Sequence, residues 1–388
     1  MEHRMSDREM STKPKTVLVI GGAGFIGTHL VRRLLSEGCS VTILDNFSSQ
    51  IHESSELPPD IRERVVLYHA DICDRAVLVK AVEGQEAVVH LAAETGTGQS
   101  MYSLVQYERV NSLGTAQLLE VLASGAGASL KRLVLSSSRA VYGEGKYRCE
   151  RHGAVYPSRR SLKSLERKQF DPECPICGSV CSCMPTDESS RIDPTSIYGL
   201  TKFTQERMVV LCAPAMRFTS VVLRYQNVFG PGQSLRNPYT GILAIFSTLA
   251  RQDATINVFE DGRESRDFVY IDDVIDATWR AIIKDISDCE ILNVGSGHPT
   301  TVKVAAEAIV GEIGSKSPIV ISGQFRVGDI RHNVADLERC ERVLGYHPKV
   351  EFKEGLQRFL EWTLTQATSN TRYEESLLEL KSRGLLNG

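Results

Sequence analysis

Three sets of residues in this 388-residue chain have types and spacings that could do chemistry. Tyr198 and Lys202, in YGLTK, stand four apart and so share one face of a helix. An ammonium beside a phenol is expected to lower its pKa by favouring the phenolate, giving a general base usable near neutral pH. Ser138, which closes the apolar run RLVLSSS, could hydrogen-bond the same substrate hydroxyl. Gly21, Gly24 and Gly27 form a GxxGxxG turn that would let backbone approach a pyrophosphate at a helix N-terminus. Cys149-x2-His152 and Cys174-x2-Cys177, 21 residues apart, supply four nitrogen and sulfur donors in a set that Zn²⁺ prefers.

Each feature has a plain alternative. Gly-rich turns are common, and a surface Tyr and Lys at this spacing would need no function. Cys181 and Cys183 could replace members of the proposed ligand set, or the thiols could be metal-free. Order and context favour the chemistry. TVLVI (16–20) runs into the glycine turn, and THLVRRLLSEG then repeats apolar residues at helical spacing, which reads as strand, turn, helix. Further apolar runs at 41–45, 87–93, 132–138 and 219–225 are each separated by room for a crossover helix, predicting a Rossmann-type doubly wound α/β sheet. Asp45 ends the second strand eighteen residues past Gly27, where a carboxylate can accept hydrogen bonds from a ribose. The residues that follow, beginning at Asn46, include no Arg or Lys to meet a 2′-phosphate, so NAD is expected over NADP. Asp71 and Ile72, after the third strand, could flank the adenine.

Domain expectations follow: a loose tail over 1–14, a dinucleotide-binding domain over 15–225 interrupted by a zinc-binding lobe at 146–185, and a smaller mixed lobe over 226–388 ending in an amphipathic helix. The lobe at 146–185 is read from the sixty positions between Ser138 and Tyr198, more than a loop of ordinary length requires. With few large apolar side chains it would need a metal clip to fold, and a closed four-ligand site would make the zinc structural. The 45 basic and 48 acidic residues leave a formal charge of −3 without a basic block, so nucleic acid is not an expected partner. No run reaches the roughly 18 apolar residues of a membrane span. The polar start does not read as a secretory signal, and clustered cysteines suit metal in a reducing compartment, so a cytoplasmic location is expected.

Seven ordered motifs, GGAGFIG, LAAETG, SSSRAVYG, YGLTK, LRYQNVFGPGQ, RDFVYIDDV and GDIRH, resemble the extended short-chain dehydrogenase/reductases that epimerise or dehydrate nucleotide sugars. The resemblance spans nearly residues 15 to 365. It implies that Ser138, Tyr198 and Lys202 are catalytic and that Phe25, Ile26, Leu91, Ala92, Ala93 and Asn111 join the cofactor site, with NAD held tightly. It also implies that Ser137, Arg139, Asn227, Arg266 and Arg331 meet the substrate, the last three at its diphosphate, where an amide and guanidinium forks suit phosphate oxygens. Family dehydratases carry an acidic pair after the strand-end hydroxyl, whereas this chain has Arg139 and Ala140. Inversion at the 4-carbon through a keto sugar is therefore expected over dehydration. The long insertion and NPYTGI (237–242) are most similar to bacterial dTDP-L-rhamnose 4-epimerases, which implies a dTDP- or UDP-sugar substrate. A net oxidoreductase would use the same residues, and a silent NAD-binding regulator is the reading outside enzymes. The resemblance further implies a homodimer joined through the YxxxK helix.

Overall fold

A computed structural model describes residues 13–52, 54–237, 239, 241–367 and 373–388; most of the expected tail therefore lies outside the described residues. Seven parallel strands form the central sheet: β1 (Thr16–Ile20), β2 (Ser40–Asp45), β3 (Val65–His69), β4 (Ala87–His90), β5 (Arg132–Ser138), β6 (Thr219–Tyr225) and β7 (Glu290–Val294). Their order across the sheet is β3-β2-β1-β4-β5-β6-β7. The reversal between β1 and β4 opens a crevice at the carboxyl ends of the strands, where ligands bind in such sheets.

The period of two explains why the strands are apolar on both faces. Val17, Val19, Val41, Ile43, Val89 and Val134 belong to one buried cluster, which extends into the second half of the chain. Leu18, Ile20, Leu44, Val88, Leu133 and Leu135 belong to a second, on the opposite face. Burying both faces leaves no room for polar alternation, so in β5 the apolar Leu133–Leu135 lie between Arg132 at the start and Ser136, Ser137 and Ser138 at the carboxyl end.

The expected division at residue 225 needs correction. β7 returns to pair with β6 in parallel from Glu290 to Val294, so the chain re-enters the first domain after leaving it. Such an edge strand is short and its apolar run weak, which hid it from the sequence. The remaining lobe holds a sheet of Asn227–Phe229, Ser265–Tyr270 and Pro299–Thr301, together with a pair formed by Ile256–Val258 and Ile319–Ile321. The insertion folds as a three-stranded sheet of Tyr147–Cys149, Gly153–Val155 and Ser182–Cys183. One small buried cluster comprises Tyr147, Cys149, Val155, Cys174 and Cys181, and a second packs Leu165 and Phe170 against Phe325.

Candidate active site

The glycine turn has the form its sequence requires. Gly21 has φ +83°, and a Cβ there would lie 2.6 Å from the Ala92 nitrogen, so both backbone sign and space demand glycine. Gly24 caps the helix Phe25–Ser36, and a Cβ there would meet only the Gly21 oxygen at 3.4 Å. Phe25, Ile26 and Gly27 head that helix, where backbone N–H groups lack intrahelical acceptors and can receive an anion. Gly21, Gly24, Asp45, Asn46, Asp71, Ile72, Leu91, Ala92 and Ala93 line one cleft. Asp45 is fixed by the Ala23 and Phe47 N–H groups, each at 2.9 Å, which leaves its outer lone pairs for ribose hydroxyls. His52, which the sequence reading missed, brings its Nε2 to 3.5 Å from the Asp45 carboxylate and lines the same cleft. It stands seven residues past Asp45, beyond the stretch in which a partner would be sought.

At the end of β5, Ser138 caps the short helical turn Arg139–Tyr142 by accepting from the Ala140 N–H. The Tyr198 phenol stands beside Ser138, which favours its phenolate. Tyr198 is held because Ser196 caps its helix, Ile197–Met216, by accepting from the Gly199 N–H. The ring of Tyr107 packs edge-on against it at 6.5 Å between centroids. Lys202, one turn on, donates from Nζ to the Ser136 carbonyl at 2.8 Å.

The electrostatics correct one expectation. Burial pushes the Tyr198 pKa up, opposed by Ser138 and by the Arg139 charge. Burial also pushes Lys202 down, to about 7, with Glu206 opposing. Desolvation is the largest influence on both groups, so charge from a bound ligand would be needed to shift both toward their working forms.

A sign follows for stability. Unfolded lysine titrates near 10.4, so between about pH 7 and that value the unfolded chain binds more protons and stability rises with pH. Lys202→Met removes this dependence. The stability of wild type relative to the variant should improve by about 2 kcal/mol from pH 7 to pH 9, measured by denaturant melts without NAD. A constant difference would contradict the burial of this ammonium.

Arg139, Asn227, Arg266 and Arg326 line a second cavity with Thr97, Tyr239, Glu264, Asp329 and Tyr373. Asn227 Oδ1 and Arg326 Nε are buried without a hydrogen-bond partner. An unpartnered Arg326 N–H among three guanidinium groups is what an anionic ligand would satisfy, while Asn227 Oδ1 calls for a donor such as a ligand hydroxyl. Burial and the neighbouring Arg266 push Arg139 down to about 10.

Three expected contacts are corrected. Arg331 is inside the protein, bonded to Asp171, Glu260 and Asp261 at 2.6 to 2.9 Å, so its fork is fully used. Arg326, five residues earlier, takes the place in the cavity wall. The sequence reading chose Arg331 because it sits within GDIRH, and no periodicity distinguished the two. Ser137 Oγ donates to Glu206 at 2.5 Å, because strand alternation turns it away from the face that Ser138 presents. Asn111 spends its amide on Glu94 and Thr201, tying the loop after β4 to the tyrosine helix instead of facing the cleft.

In the insertion, the Cys149, Cys174 and Cys177 Sγ atoms and one nitrogen of His152 all lie within 4.8 Å of one another. Cys149 Sγ is 3.6 Å from His152 Nδ1 and 3.7 Å from Cys177 Sγ, and Cys174 Sγ is 3.5 Å from His152 Nδ1. Bonds of about 2.3 Å to sulfur and 2.0–2.1 Å to nitrogen imply tetrahedral edges of about 3.8 and 3.6 Å. Gly153 and Gly178, at φ +70° and +72°, make the turns after each pair. Cys181 and Cys183 instead donate to the carbonyls of Ser179 and Met184.

With this geometry in place, the chain can be set beside known proteins. It is 37% identical over 350 residues, 90% of this chain and 94% of the relative, to a dTDP-L-rhamnose 4-epimerase of Burkholderia thailandensis. A UDP-glucose 4-epimerase of Thermotoga maritima, solved with UDP-glucose, superposes with TM-score 0.72 at 28% identity, covering 90% of this chain and 98% of that one. A UDP-glucose 4-epimerase of Thermus thermophilus, solved with NAD, superposes with TM-score 0.71 at 25% identity, covering 91% and 100%. The model of the NAD dependent epimerase/dehydratase family matches residues 17–160 and 174–295. On the strength of that match, and of a sheet, glycine turn and tyrosine helix arranged as described, this chain belongs to the NAD dependent epimerase/dehydratase family.

Proposed function

We propose that this protein is an NAD-dependent nucleotide-sugar 4-epimerase, with dTDP-L-rhamnose and dTDP-6-deoxy-L-talose as its substrate pair. The observation that supports the reaction type is the placement of the Tyr198 phenol beside Ser138 at the end of β5, where Ser138 favours the phenolate, with Arg139, and no acidic residue, as the next side chain toward the cavity. The substrate pair rests on the similarity to the Burkholderia relative. The cleft fits NAD: it has a glycine turn at a helix start and an oriented Asp45 carboxylate that would repel a 2′-phosphate. NAD supplies a reversible hydride acceptor at the reacting carbon.

The chain's own groups do the rest. Tyr198 Oη, held by Ser138, takes the proton of the sugar 4-hydroxyl and returns it once the 4-keto sugar has presented its other face. Lys202 secures the cofactor beside the phenol. Arg139 and Arg326 hold the diphosphate, with Arg266, whose terminal nitrogens are spent on Asp329 and backbone carbonyls, adding charge and Asn227 its amide. Because that grip is on the nucleotide end the sugar ring can turn while the molecule stays bound. Ala140 is an apolar stop where an acid would be needed to expel water, which keeps the reaction to inversion. Incubation with dTDP-, UDP- and GDP-sugars, followed by NMR for a stereoisomer, tests the assignment; conversion of none of them rejects it.

The insertion holds, in this reading, a structural zinc on Cys149, His152, Cys174 and Cys177, whose donor spacing fits the tetrahedron. The protein is also a homodimer through the tyrosine helix. Leu200 and Leu211 on that helix, with Leu104, Val105 and Leu113 on the adjoining stretch, are large apolar side chains left exposed, Val105 by 81%, and a second copy would cover them. Light scattering should return twice the chain mass, and the double variant Val105→Glu, Leu211→Glu should return the chain mass itself.

A further inference from the structure

We propose that the carboxyl-terminal segment 373–388 is a working wall of the nucleotide-sugar cavity, in which Tyr373 contacts substrate and Glu379 positions the loops around it. This rests on the function proposed above, and it gives a role to a segment that the sequence leaves silent.

Three independent ties place the segment there. Tyr373, the first residue of the helix Tyr373–Ser382, is buried and lines the cavity beside Arg326, whose charge favours its phenolate. Glu379, two turns on, accepts at one oxygen from both the Tyr102 hydroxyl at 2.9 Å and the Tyr239 hydroxyl at 2.8 Å. Tyr239 lines the cavity itself, while Tyr102 follows Thr97, another lining residue. The last residues then run antiparallel to Phe325–Arg326, with Arg326 opposite Leu386, and the Val327 N–H donates to the Leu385 carbonyl at 2.9 Å. Sixteen residues thus join three stretches that are far apart in sequence, each of which gives a side chain to the cavity wall.

The chemistry distinguishes this from ordinary packing of a terminal helix. A helix that only covered apolar surface would need leucines, and Leu380 does pack on Gly98. Two phenols converging on one carboxylate oxygen instead make charge-assisted hydrogen bonds, which fix direction as well as distance. The Arg383 guanidinium lies 4.2 Å from the centroid of the Tyr102 ring, adding a second hold on the same loop. The carboxylate therefore sets where Tyr239 and the 97–102 loop stand relative to the arginines that grip the diphosphate.

Calorimetric binding of dTDP and of UDP to the NAD-loaded protein tests this without requiring turnover. Glu379→Ala should weaken the better-bound nucleotide by about tenfold, the effect of one charge-assisted hydrogen bond, and raise KM while kcat changes less than about threefold. Glu379→Gln, which keeps an acceptor oxygen, should recover most of the loss, and Tyr373→Ala should weaken binding more than Tyr373→Phe. NAD affinity should stay unchanged in all four. As a check that needs no variant, that nucleotide should slow amide exchange over 373–388 and 97–102 in the wild-type protein. Unchanged nucleotide affinity in the variants, or no protection of 373–388, overturns the inference. Wild-type protein that binds neither dTDP nor UDP would instead overturn the function on which it rests.

Discussion

Replacing Tyr198 by Phe should lower kcat by about 10²- to 10⁴-fold, the range for losing a positioned general acid–base, while leaving NAD and nucleotide affinities within a factor of about three. The ring is the part that packs: its edge-on neighbour Tyr107 is met equally by phenylalanine. Only the hydroxyl is lost, together with its interaction with Ser138. A stability gain should accompany the loss of rate, because a buried phenol gives way to a hydrocarbon of the same outline. Ser138→Ala should act in the same direction and less strongly, since the phenol remains. If Tyr198→Phe kept more than about a tenth of wild-type kcat, the proton would have to move by another group, and among the described residues the Tyr198 phenol is the titratable side chain that Ser138 acts on.

With zinc on the proposed site, its removal should be the largest effect on stability. Structural zinc sites in small domains are worth roughly 10–16 kcal/mol in apparent binding free energy at pH 7, and the apolar packing of the insertion is slight, five residues in one buried cluster and Leu165 and Phe170 against Phe325 in another. A strong chelator, or Cys174→Ser, should release one zinc per chain and leave 146–185 open to rapid amide exchange. The disturbance should not stop there. Arg160, in the insertion, bonds Glu144, Glu260 and the Asp329 carbonyl at 2.8 to 3.0 Å, and Asp329 in turn holds Arg266 at 3.0 Å. Asp171 binds Arg331 at 2.8 Å. Loss of the lobe would take Arg160 from the buried Glu144 and Glu260 carboxylates and Asp171 from Arg331, which is expensive, and would free the loop that carries Arg326. KM for the nucleotide sugar should therefore rise by about tenfold or more while NAD stays bound. An unchanged melt, together with no zinc by elemental analysis, would reject the site.

The sequence was most legible where a local rule had only one structural solution. Gly21 must be glycine because backbone sign and the nearness of Ala92 leave no alternative, and Asp45 follows at the distance that one helix and one strand impose. The two cysteine pairs could be read as a ligand set because each knuckle is local and carries its own glycine turn. What could not be read depends on contacts distant in sequence. Arg326 and Arg331 are both arginines near one motif, and only the acidic cluster of Asp171, Glu260 and Asp261 decides which is drawn inward. The lowered pKa of Lys202 comes from burial that its neighbours in sequence do not reveal, so reasoning from the YxxxK pair alone gave the wrong direction for Tyr198. β7 escaped notice because its pairing partner lies about 70 residues earlier. The terminal helix, likewise, announces its amphipathic pattern but not the two tyrosines that meet its glutamate.

The account turns on a hydride that leaves the 4-carbon and comes back to the same carbon. Nucleotide sugar carrying deuterium at C4, converted by the purified NAD-loaded protein and analysed by NMR and mass spectrometry, tests this most directly. The account predicts a 4-epimeric product that keeps its deuterium at C4, with no solvent hydrogen entering there and no net accumulation of NADH. Loss of the label to solvent, or a keto product released as NADH builds up, would contradict it.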